Sequence, residues 1–180
     1  MPQPRPPAGR ATAQARRARS LRRLPPHPLP RESHTLKIKA FIDGAARGNP
    51  GPAGYGVFMT TDTGEIIEIA GFLGRATNNV AEYAGLVEAL TVAHEEGAKE
   101  VEIISDSELL VKQMLGVYRV KHPNLVPMYE KAKSMARRFS RFTIKHTLRA
   151  GNKDADRLAN LAVDRADGRL VQRKRVEPAS

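Results

Sequence analysis

The sequence predicts an α/β fold: a five-stranded mixed sheet, with three antiparallel strands followed by two parallel ones, flanked by helices. Apolar segments at residues 36–42, 55–60 and 65–72 follow one another closely and are separated by turn-forming residues, which is typical of an antiparallel meander. A helical pattern then leads to a fourth apolar segment at residues 101–105. This strand–helix–strand order favours parallel pairing of the fourth segment with the first.

Length and composition limit the possible classes of protein. The 180 residues fit one domain, predicted at residues 35–167, with an extension at residues 1–34 and a polar basic tail at residues 168–180. The absence of cysteine excludes disulfides and thiolate metal sites. No apolar run reaches the length that crosses a membrane. The net charge of +11 favours an acidic partner such as nucleic acid.

The extension holds much of this charge. Residues 1–34 contain eight arginines and one acid, Glu32, which gives +7 of the total of +11. The segment has too few large apolar residues to offset its ordering entropy, so we expect it to be disordered. Three interpretations stay open: an electrostatic arm for nucleic acid, an organelle-targeting segment, or an inert extension.

The first predicted strand ends in a carboxylate. Residues 38–42 are apolar and lead directly to Asp43, and five glycines and two prolines follow within the next thirteen residues. This Gly/Pro cluster predicts a tight loop before the second strand. An acid at the end of a core strand, facing exposed backbone N–H groups, suits a site for metal ions and phosphate. The alternative is that Asp43 starts the turn by bonding its own backbone.

An amphipathic helix follows the third strand. Thr77 or Asn78 can cap it, Gly97 stops it after about residue 96, and its apolar residues recur at helical spacing. Glu82 falls on the edge of the apolar stripe, whereas the later acids of this helix fall on the opposite face. Glu82 is therefore predicted to lean toward the sheet, although a solvated position is the usual one for a helical glutamate.

The fourth strand repeats the pattern of an apolar run that ends in an acid. Residues 101–105 lead to Asp106, and a helix at about residues 107–115 follows. Ligands of such sheets gather at the carboxyl ends of parallel strands, so Asp43 and Asp106 are predicted to be neighbours. A further helix with an apolar stripe precedes the fifth predicted strand at residues 141–146.

The last third of the chain is basic and ends in a helix. Residues 116–150 contain nine Lys or Arg and one acid, Glu130. These charges either solvate a helix and its ends or form part of a nucleic-acid face, and the imbalance favours the second. The final helix, residues 152–166, carries Asp156 near its N-terminus at the edge of the apolar face. Favourable interaction with the helix dipole, about 0.3–1 kcal/mol, is the alternative role of Asp156.

Four segments together resemble the motifs of type 1 ribonuclease H, in that family's order. They are F-I-D-G-A-A-R-G-N-P-G-P-A-G-Y-G at residues 41–56, T-N-N-V-A-E at 77–82, S-D-S at 105–107 and N-K-D-A-D at 152–156. Each carries the expected carboxylate, and the resemblance covers roughly residues 36–167. The short link at residues 116–123 and the absence of tryptophan are similar to the form that lacks the family's basic protrusion.

The resemblance implies an endonuclease that hydrolyses the RNA strand of RNA–DNA hybrids by two-metal-ion catalysis, leaving 5′-phosphate and 3′-hydroxyl ends. Asp43 would bridge both ions, Asp106 and Glu82 would complete the shell of one ion, and Asp156 would hold the other. Four clustered carboxylates repel one another, and a pair of divalent cations removes that cost. Oxygen-only ligands favour Mg²⁺, with Mn²⁺ as a substitute.

The resemblance also implies the residues that assist and bind. His146 stands ten residues before Asp156, where many relatives place a mobile histidine that assists proton transfer or product release; a structural or solvated role is the alternative. The implied substrate-binding residues are Gly44, Ala45, Ala46, Asn49, Thr77 and Asn78. The first four and Asn78, together with Glu82, would contact RNA 2′-hydroxyls and base edges, and Thr77 and Asn78 would bind a phosphate of the DNA strand.

Two other functions stay open. One is a non-catalytic module of the same fold that binds RNA–DNA hybrids or RNA. Such a module does not need every carboxylate of the site, whereas all four are present here. Another nuclease or transposase of this fold usually lacks the G-N-P-G-P loop followed by T-N-N-x-x-E. No residue indicates base-specific readout, so cleavage is expected to be sequence-tolerant. The chain is expected to act as a monomer in the cytoplasm, without a membrane partner, and organelle targeting is the alternative location.

Overall fold

The computed structural model describes residues 2–4 and 34–176. Nearly all of the predicted disordered extension, residues 1–34, lies outside the described residues, so its proposed roles stay predictions. Within the part of the chain that is described, no helix is both long enough and apolar enough to cross a membrane.

Six strands and four α-helices follow one another in the described residues. The strands are β1 (Lys37–Ala46), β2 (Gly51–Thr61), β3 (Glu65–Ala76), β4 (Glu100–Ser105), β5 (Arg141–His146) and β6 (Arg169–Arg175). The helices are α1 (Asn78–Glu95), α2 (Glu108–Met114), α3 (Val126–Ala136) and α4 (Lys153–Arg165). A short 3₁₀ turn at Arg149–Gly151 precedes α4.

The strands form one mixed sheet in the order β5-β4-β1-β2-β3-β6. Strands β1, β2 and β3 pair antiparallel, and β4 pairs parallel with both β1 and β5. The predicted arrangement of three antiparallel and two parallel strands is confirmed, with one strand more than expected. The parallel register places Ile42 beside Ser105, so β1 and β4 end at the same edge of the sheet.

Strands β1 and β2 run further through the glycine cluster than the sequence predicts. Their pairing continues from Asp43 opposite Gly56 to Ala46 opposite Ala53, so the connection between them is confined to residues 47–50. The interpretation of the whole Gly/Pro cluster as a loop was therefore wrong. Glycine weakens a strand by itself, but here the pairing partners and the packing described next compensate for it.

The glycines of β1 and β2 allow two helices to approach the sheet closely. A Cβ on Gly44 would lie 2.4 Å from the backbone nitrogen of Glu82 in α1, and a Cβ on Gly56 would lie 2.2 Å from the carbonyl oxygen of Ala155 in α4. Gly44 and Gly56 present opposite faces, because Gly56 lies opposite Asp43 in the register. The sheet is thus held between α1 on one face and α4 on the other.

Helix α1 forms the main core with the sheet. The side-chain oxygen of Thr77 accepts a 3.2 Å hydrogen bond from the backbone nitrogen of Val80, so Thr77 is the predicted N-cap. Gly97, with a φ of 79°, lies just after the end of the helix, as predicted from the sequence. Large apolar side chains that are fully buried fill the space between helix and strands: Ile42, Val57, Met59, Tyr83, Leu86, Leu90 and Ile103.

Strand β6 lies where the sequence predicted a polar tail at residues 168–180. It pairs antiparallel with β3, and charged side chains support the pairing: Arg173 lies 3.1 Å from Glu65, and Lys174 lies 3.3 Å from Glu68. The side chains of β6 are mostly exposed, so its sequence shows no clear apolar alternation. Its partners lie about 100 residues earlier in the chain, which explains why a local pattern missed it.

The link between α2 and α3, residues 115–125, contains no helix or strand. Leu115, Val117 and Tyr118 are exposed there. The assignment of this chain to the form without the basic protrusion stays a prediction.

Candidate active site

Two neighbouring strand ends place the first pair of acids. Asp43 follows the buried Ile42 on β1 and is itself only 5% exposed. Asp106 follows Ser105, the last residue of β4. Because Ile42 and Ser105 lie side by side in the parallel register, Asp43 and Asp106 emerge together at one edge of the sheet. This is the edge at which ligands of parallel strands collect.

Helix α1 contributes the third acid to the same edge. The close approach of α1 at Gly44 brings Glu82 to Asp43, and Glu82 is 6% exposed. One carboxylate oxygen from each of Asp43, Glu82 and Asp106 lies within 4.8 Å of the others. Glu82 Oε2 is buried and has no hydrogen-bond partner among the described residues. Such an oxygen is costly unless a cation or a proton compensates it, so these residues fit a divalent cation.

Helix α4 brings Asp156 beside this group. Asn152, which is 1% exposed, fixes the start of the helix because its Nδ2 donates a 2.8 Å hydrogen bond to the carbonyl oxygen of Ile42. Asp156, one turn later, is close enough to Asp43 to contribute to the raised pKa of Asp43. Nδ2 of Asn160 donates to the backbone oxygen of Asp156 at 2.9 Å. Asp156 is half-buried and stands next to the three-carboxylate group rather than within it.

Burial and repulsion raise the pKa of two of these acids. Burial is the largest cause for Asp43, followed by the charge of Asp106, and together with Asp156 they raise its pKa from the usual 3.8 to about 8. Burial, followed by the charges of Asp43 and Asp106, raises the pKa of Glu82 from the usual 4.5 to about 9. The metal-free site therefore retains protons at neutral pH, and binding of a divalent cation would displace them.

The predicted substrate-binding residues divide between two depressions. An open cleft of about 500 Å³ holds the four acids and is also lined by Gly44, Ala45, Ala46 and Asn78. Thr77 lines a second depression, of about 610 Å³, in which Arg75 supplies a cation. Asn49 lines neither of them. Its Oδ1 accepts a 3.2 Å hydrogen bond from the backbone nitrogen of Asn78, so it ties the β1–β2 connection to the start of α1.

His146 lies at the exposed end of β5, and its Nε2 is 3.2 Å from the carbonyl oxygen of Asp106. It contacts the backbone of a site residue but does not line the cleft. Four residues that line the cleft were not among the predicted site residues: Arg47, Ser107, Arg149 and Asn160. The guanidinium of Arg149 is 3.9 Å from Asp156 Oδ1. Arg149 sits in a 3₁₀ turn with no periodic pattern, so its only signal was its place seven residues before Asp156.

Comparisons with known proteins agree with this geometry. A family model described as "Reverse transcriptase-like" matches residues 41–162, which include all four acids. The crystal structure of RNase H1 from the archaeon Halobacterium salinarum is 40% identical in sequence, with a TM-score of 0.69, over 72% of this chain and 99% of that chain. The chain belongs to the ribonuclease H family.

Two further relatives show how much of each chain the similarity covers. LC11-RNase H1, solved in complex with an RNA/DNA hybrid, is 41% identical with a TM-score of 0.67, over 72% of this chain and 98% of that chain. The bifunctional protein Rv2228c of Mycobacterium tuberculosis is 47% identical over 133 residues, which are 73% of this ribonuclease H chain. The match spans only 36% of the length of the mycobacterial protein.

Proposed function

We propose that this ribonuclease H is an endonuclease that hydrolyses the RNA strand of RNA–DNA hybrids and leaves 5′-phosphate and 3′-hydroxyl ends. The observation that carries the proposal is the group of three carboxylates, two of them buried, at the joint end of β1 and β4. The group lies in a chain that is homologous to ribonuclease HI enzymes, and one relative has been solved with an RNA/DNA hybrid.

The donor set supports two divalent cations, with Mg²⁺ favoured and Mn²⁺ as a substitute, because it offers only oxygen ligands. In the proposed assignment, Asp43 is shared between the two sites, Glu82 and Asp106 complete one, and Asp156 serves the other. Bound cations would neutralise charge on the scissile phosphate and lower the pKa of an attacking water. The carboxylates would hold these cations, while Asn152 ties α4, and with it Asp156, to β1, and Asn160 bonds to Asp156 within the helix.

Residues around the cleft are proposed to position the substrate. The backbone amides of Gly44, Ala45 and Ala46 line the cleft beside Asp43, where they can reach the 2′-hydroxyls that distinguish RNA from DNA. Asn78 lines the same cleft, and Thr77 and Arg75 line the adjacent depression, which suits a phosphate of the DNA strand. These contacts involve backbone and sugar–phosphate groups, so cleavage is sequence-tolerant in this proposal.

Two side chains at the margin of the cleft are proposed to act on protons and phosphate. His146 is exposed and close to the Asp106 backbone, so it can carry a proton between the cleft and solvent. The side chain of Arg149 is 85% exposed and meets Asp156 only at the limit of ion-pair distance. Arg149 therefore remains available to bind a substrate phosphate when cations occupy the carboxylates.

Cleavage of an end-labelled RNA–DNA hybrid with Mg²⁺, with EDTA, and beside single-stranded RNA tests the proposal. We expect metal-dependent cutting of the hybrid's RNA strand alone. Asp43→Asn is expected to lower turnover at least about a hundredfold, whereas Asp154→Asn, which changes an exposed acid of the motif that carries Asp156, retains activity. Hybrid binding without cutting by the unmodified chain would contradict the proposal and favour the non-catalytic module. Monomeric state and cytoplasmic location stay predictions.

A further inference from the structure

An apolar groove, separate from the carboxylate cleft, lies along the outer side of β5. This β5 groove has a volume of about 570 Å³ and lies between β5 and the C-terminal ends of α2 and α3. Its apolar lining consists of Met114, Leu115, Ala136, Phe142 and Ile144. Leu115 is 58% exposed, whereas Met114, Ala136 and Ile144 beside it are buried. No residue of the carboxylate group lines the β5 groove.

The backbone of β5 is open on the side of this groove. β5 is the last strand in the order of the sheet. Two N–H groups of this segment donate toward β4, namely that of Arg141 to Lys99 at 3.3 Å and that of Thr147 to Ser105 at 2.9 Å. Alternate residues of a strand direct their backbone groups to opposite sides, so those of Phe142 and Ile144 point away from β4. No strand among residues 34–176 pairs with this side of β5, so it is an edge to which an extended peptide can pair.

The charged residues at the β5 groove are all basic. Lys133, Arg137 and Lys145 line it, and no acid of the part of the chain that the structure describes does. Lys133 donates to the carbonyl oxygen of Met114 at 3.2 Å, and Lys145 lies 2.9 Å from Glu102. Arg137 has neither an ion pair nor a side-chain hydrogen bond within residues 34–176. The groove thus combines an apolar lining, an open strand edge and an unpaired cation.

These three features select one kind of occupant. Residues 5–33 of the same chain carry the eight arginines of the extension, so like charge disfavours them. A nucleic acid would satisfy the cations, but its phosphates and sugars neither fill an apolar groove nor pair with a strand edge. An extended peptide with apolar side chains at alternate positions, and with acidic side chains next in line on that same face, satisfies all three features, since every second side chain of a strand lies on one face.

We propose that the β5 groove binds an acidic, extended segment of a partner protein. The segment pairs with the free edge of β5, places its apolar side chains in the groove, and sets its carboxylates near Arg137 and Lys133. The β5 groove is thereby a recruitment surface that leaves the carboxylate cleft open to substrate. This inference does not depend on the proposed function, because none of its residues belongs to the cleft.

The test uses the full chain and a labelled ten-residue peptide in which every second residue faces the groove: Val or Phe along most of that face and Asp at its end, with Thr at the intervening positions. We expect saturable binding in fluorescence anisotropy, and none for a peptide in which Lys replaces Asp. Arg137→Glu is expected to weaken binding at least about tenfold, because it reverses the unpaired charge of the groove. Arg138→Glu, an exposed neighbour outside the groove, is the matched control and should change the Kd less than about twofold.

Hydrogen exchange of the β5 amides measures pairing of the peptide with the strand, which attraction between charges alone would not change. Bound peptide should slow exchange of the Phe142 and Ile144 amides in the wild type and slow it less in Arg137→Glu at the same peptide concentration. Absence of peptide binding, equal weakening by Arg137→Glu and Arg138→Glu, or unchanged amide exchange would each overturn the proposal. A loss of hybrid affinity in Arg137→Glu as large as the loss of peptide affinity would assign the groove to nucleic acid instead.

Discussion

Replacing Asp43 by Asn is expected to stabilise the metal-free fold at alkaline pH while it abolishes hydrolysis. In the folded chain the pKa values of Asp43 and Glu82 are raised to about 8 and about 9, whereas in the unfolded chain they lie near 3.8 and 4.5. Unfolding therefore releases protons. The stability that these protonated acids contribute is fully present below about pH 4 and is lost as the pH rises through 8 to 9.

The size of the effect is bounded by the pKa of Asp43. One pKa unit corresponds to about 1.4 kcal/mol, so a rise from 3.8 to about 8 sets a ceiling of about 6 kcal/mol for Asp43 alone. The actual difference is smaller, because the acids share their mutual repulsion and neutralising one of them relaxes the others. We expect Asp43→Asn to gain about 1–3 kcal/mol more, relative to wild type, at pH 9 than at pH 5.

Urea unfolding in EDTA at pH 5, 7 and 9 measures this difference through the midpoint and slope of each transition. Asp154→Asn is the control, since Asp154 is exposed, and its pH profile should run parallel to that of wild type. Added Mg²⁺ is expected to stabilise wild type at pH 9 and to leave Asp43→Asn nearly unchanged. Parallel pH profiles for wild type and Asp43→Asn would refute the reasoning, because they would show that burial of Asp43 carries no cost.

Three further changes test single contacts. Asn152→Ala removes the buried hydrogen bond to β1 and should lower the free energy of unfolding in urea by about 1–3 kcal/mol. Asn160→Ala, which removes a part-buried bond, should lower it by less than about 1 kcal/mol. Gly44→Ala places a Cβ 2.4 Å from the backbone nitrogen of Glu82, so kcat on a saturating hybrid should fall more than about tenfold; an unchanged kcat would show that α1 can shift without harm. Arg149→Ala should raise the KM for the hybrid measured with Mg²⁺, without changing the urea midpoint, and a loss of both would indicate a structural role.

The sequence located the acids because each has a local signal. Asp43 and Asp106 stand directly after short apolar runs, and the parallel pairing of those runs follows from the order of strands and helix. Glu82 and Asp156 lie at the edges of apolar helix stripes, which limits the side toward which they can point. Local patterning and motif order were therefore sufficient to bring these acids to one edge of the sheet.

The features that the sequence did not indicate depend on distant partners. The glycines of β1 and β2 suggested a loop, and only the backbones of α1 and α4 explain why a Cβ is excluded there. Strand β6 has mostly exposed side chains, and it pairs with β3, which lies far from it in the chain and supplies the ion-pair partner of Arg173. Arg149 occupies a turn whose position follows from the anchoring of α4 by Asn152. Each of these contacts joins residues far apart in the chain, so no periodic pattern within a short stretch of sequence indicates it.

The hydrogen bond from Asn152 to Ile42 joins residues 110 positions apart, on either side of the irregular link at residues 115–125. A cut in that link would place Asp43, Glu82 and Asp106 on one fragment and Asp156 with its anchor on the other. Neither fragment holds the complete set of acids, and β5 and α4 must dock on the first fragment to restore it. Hydrolysis would then report reassembly of the two halves, so the chain offers a natural division point for a split-enzyme sensor of protein association.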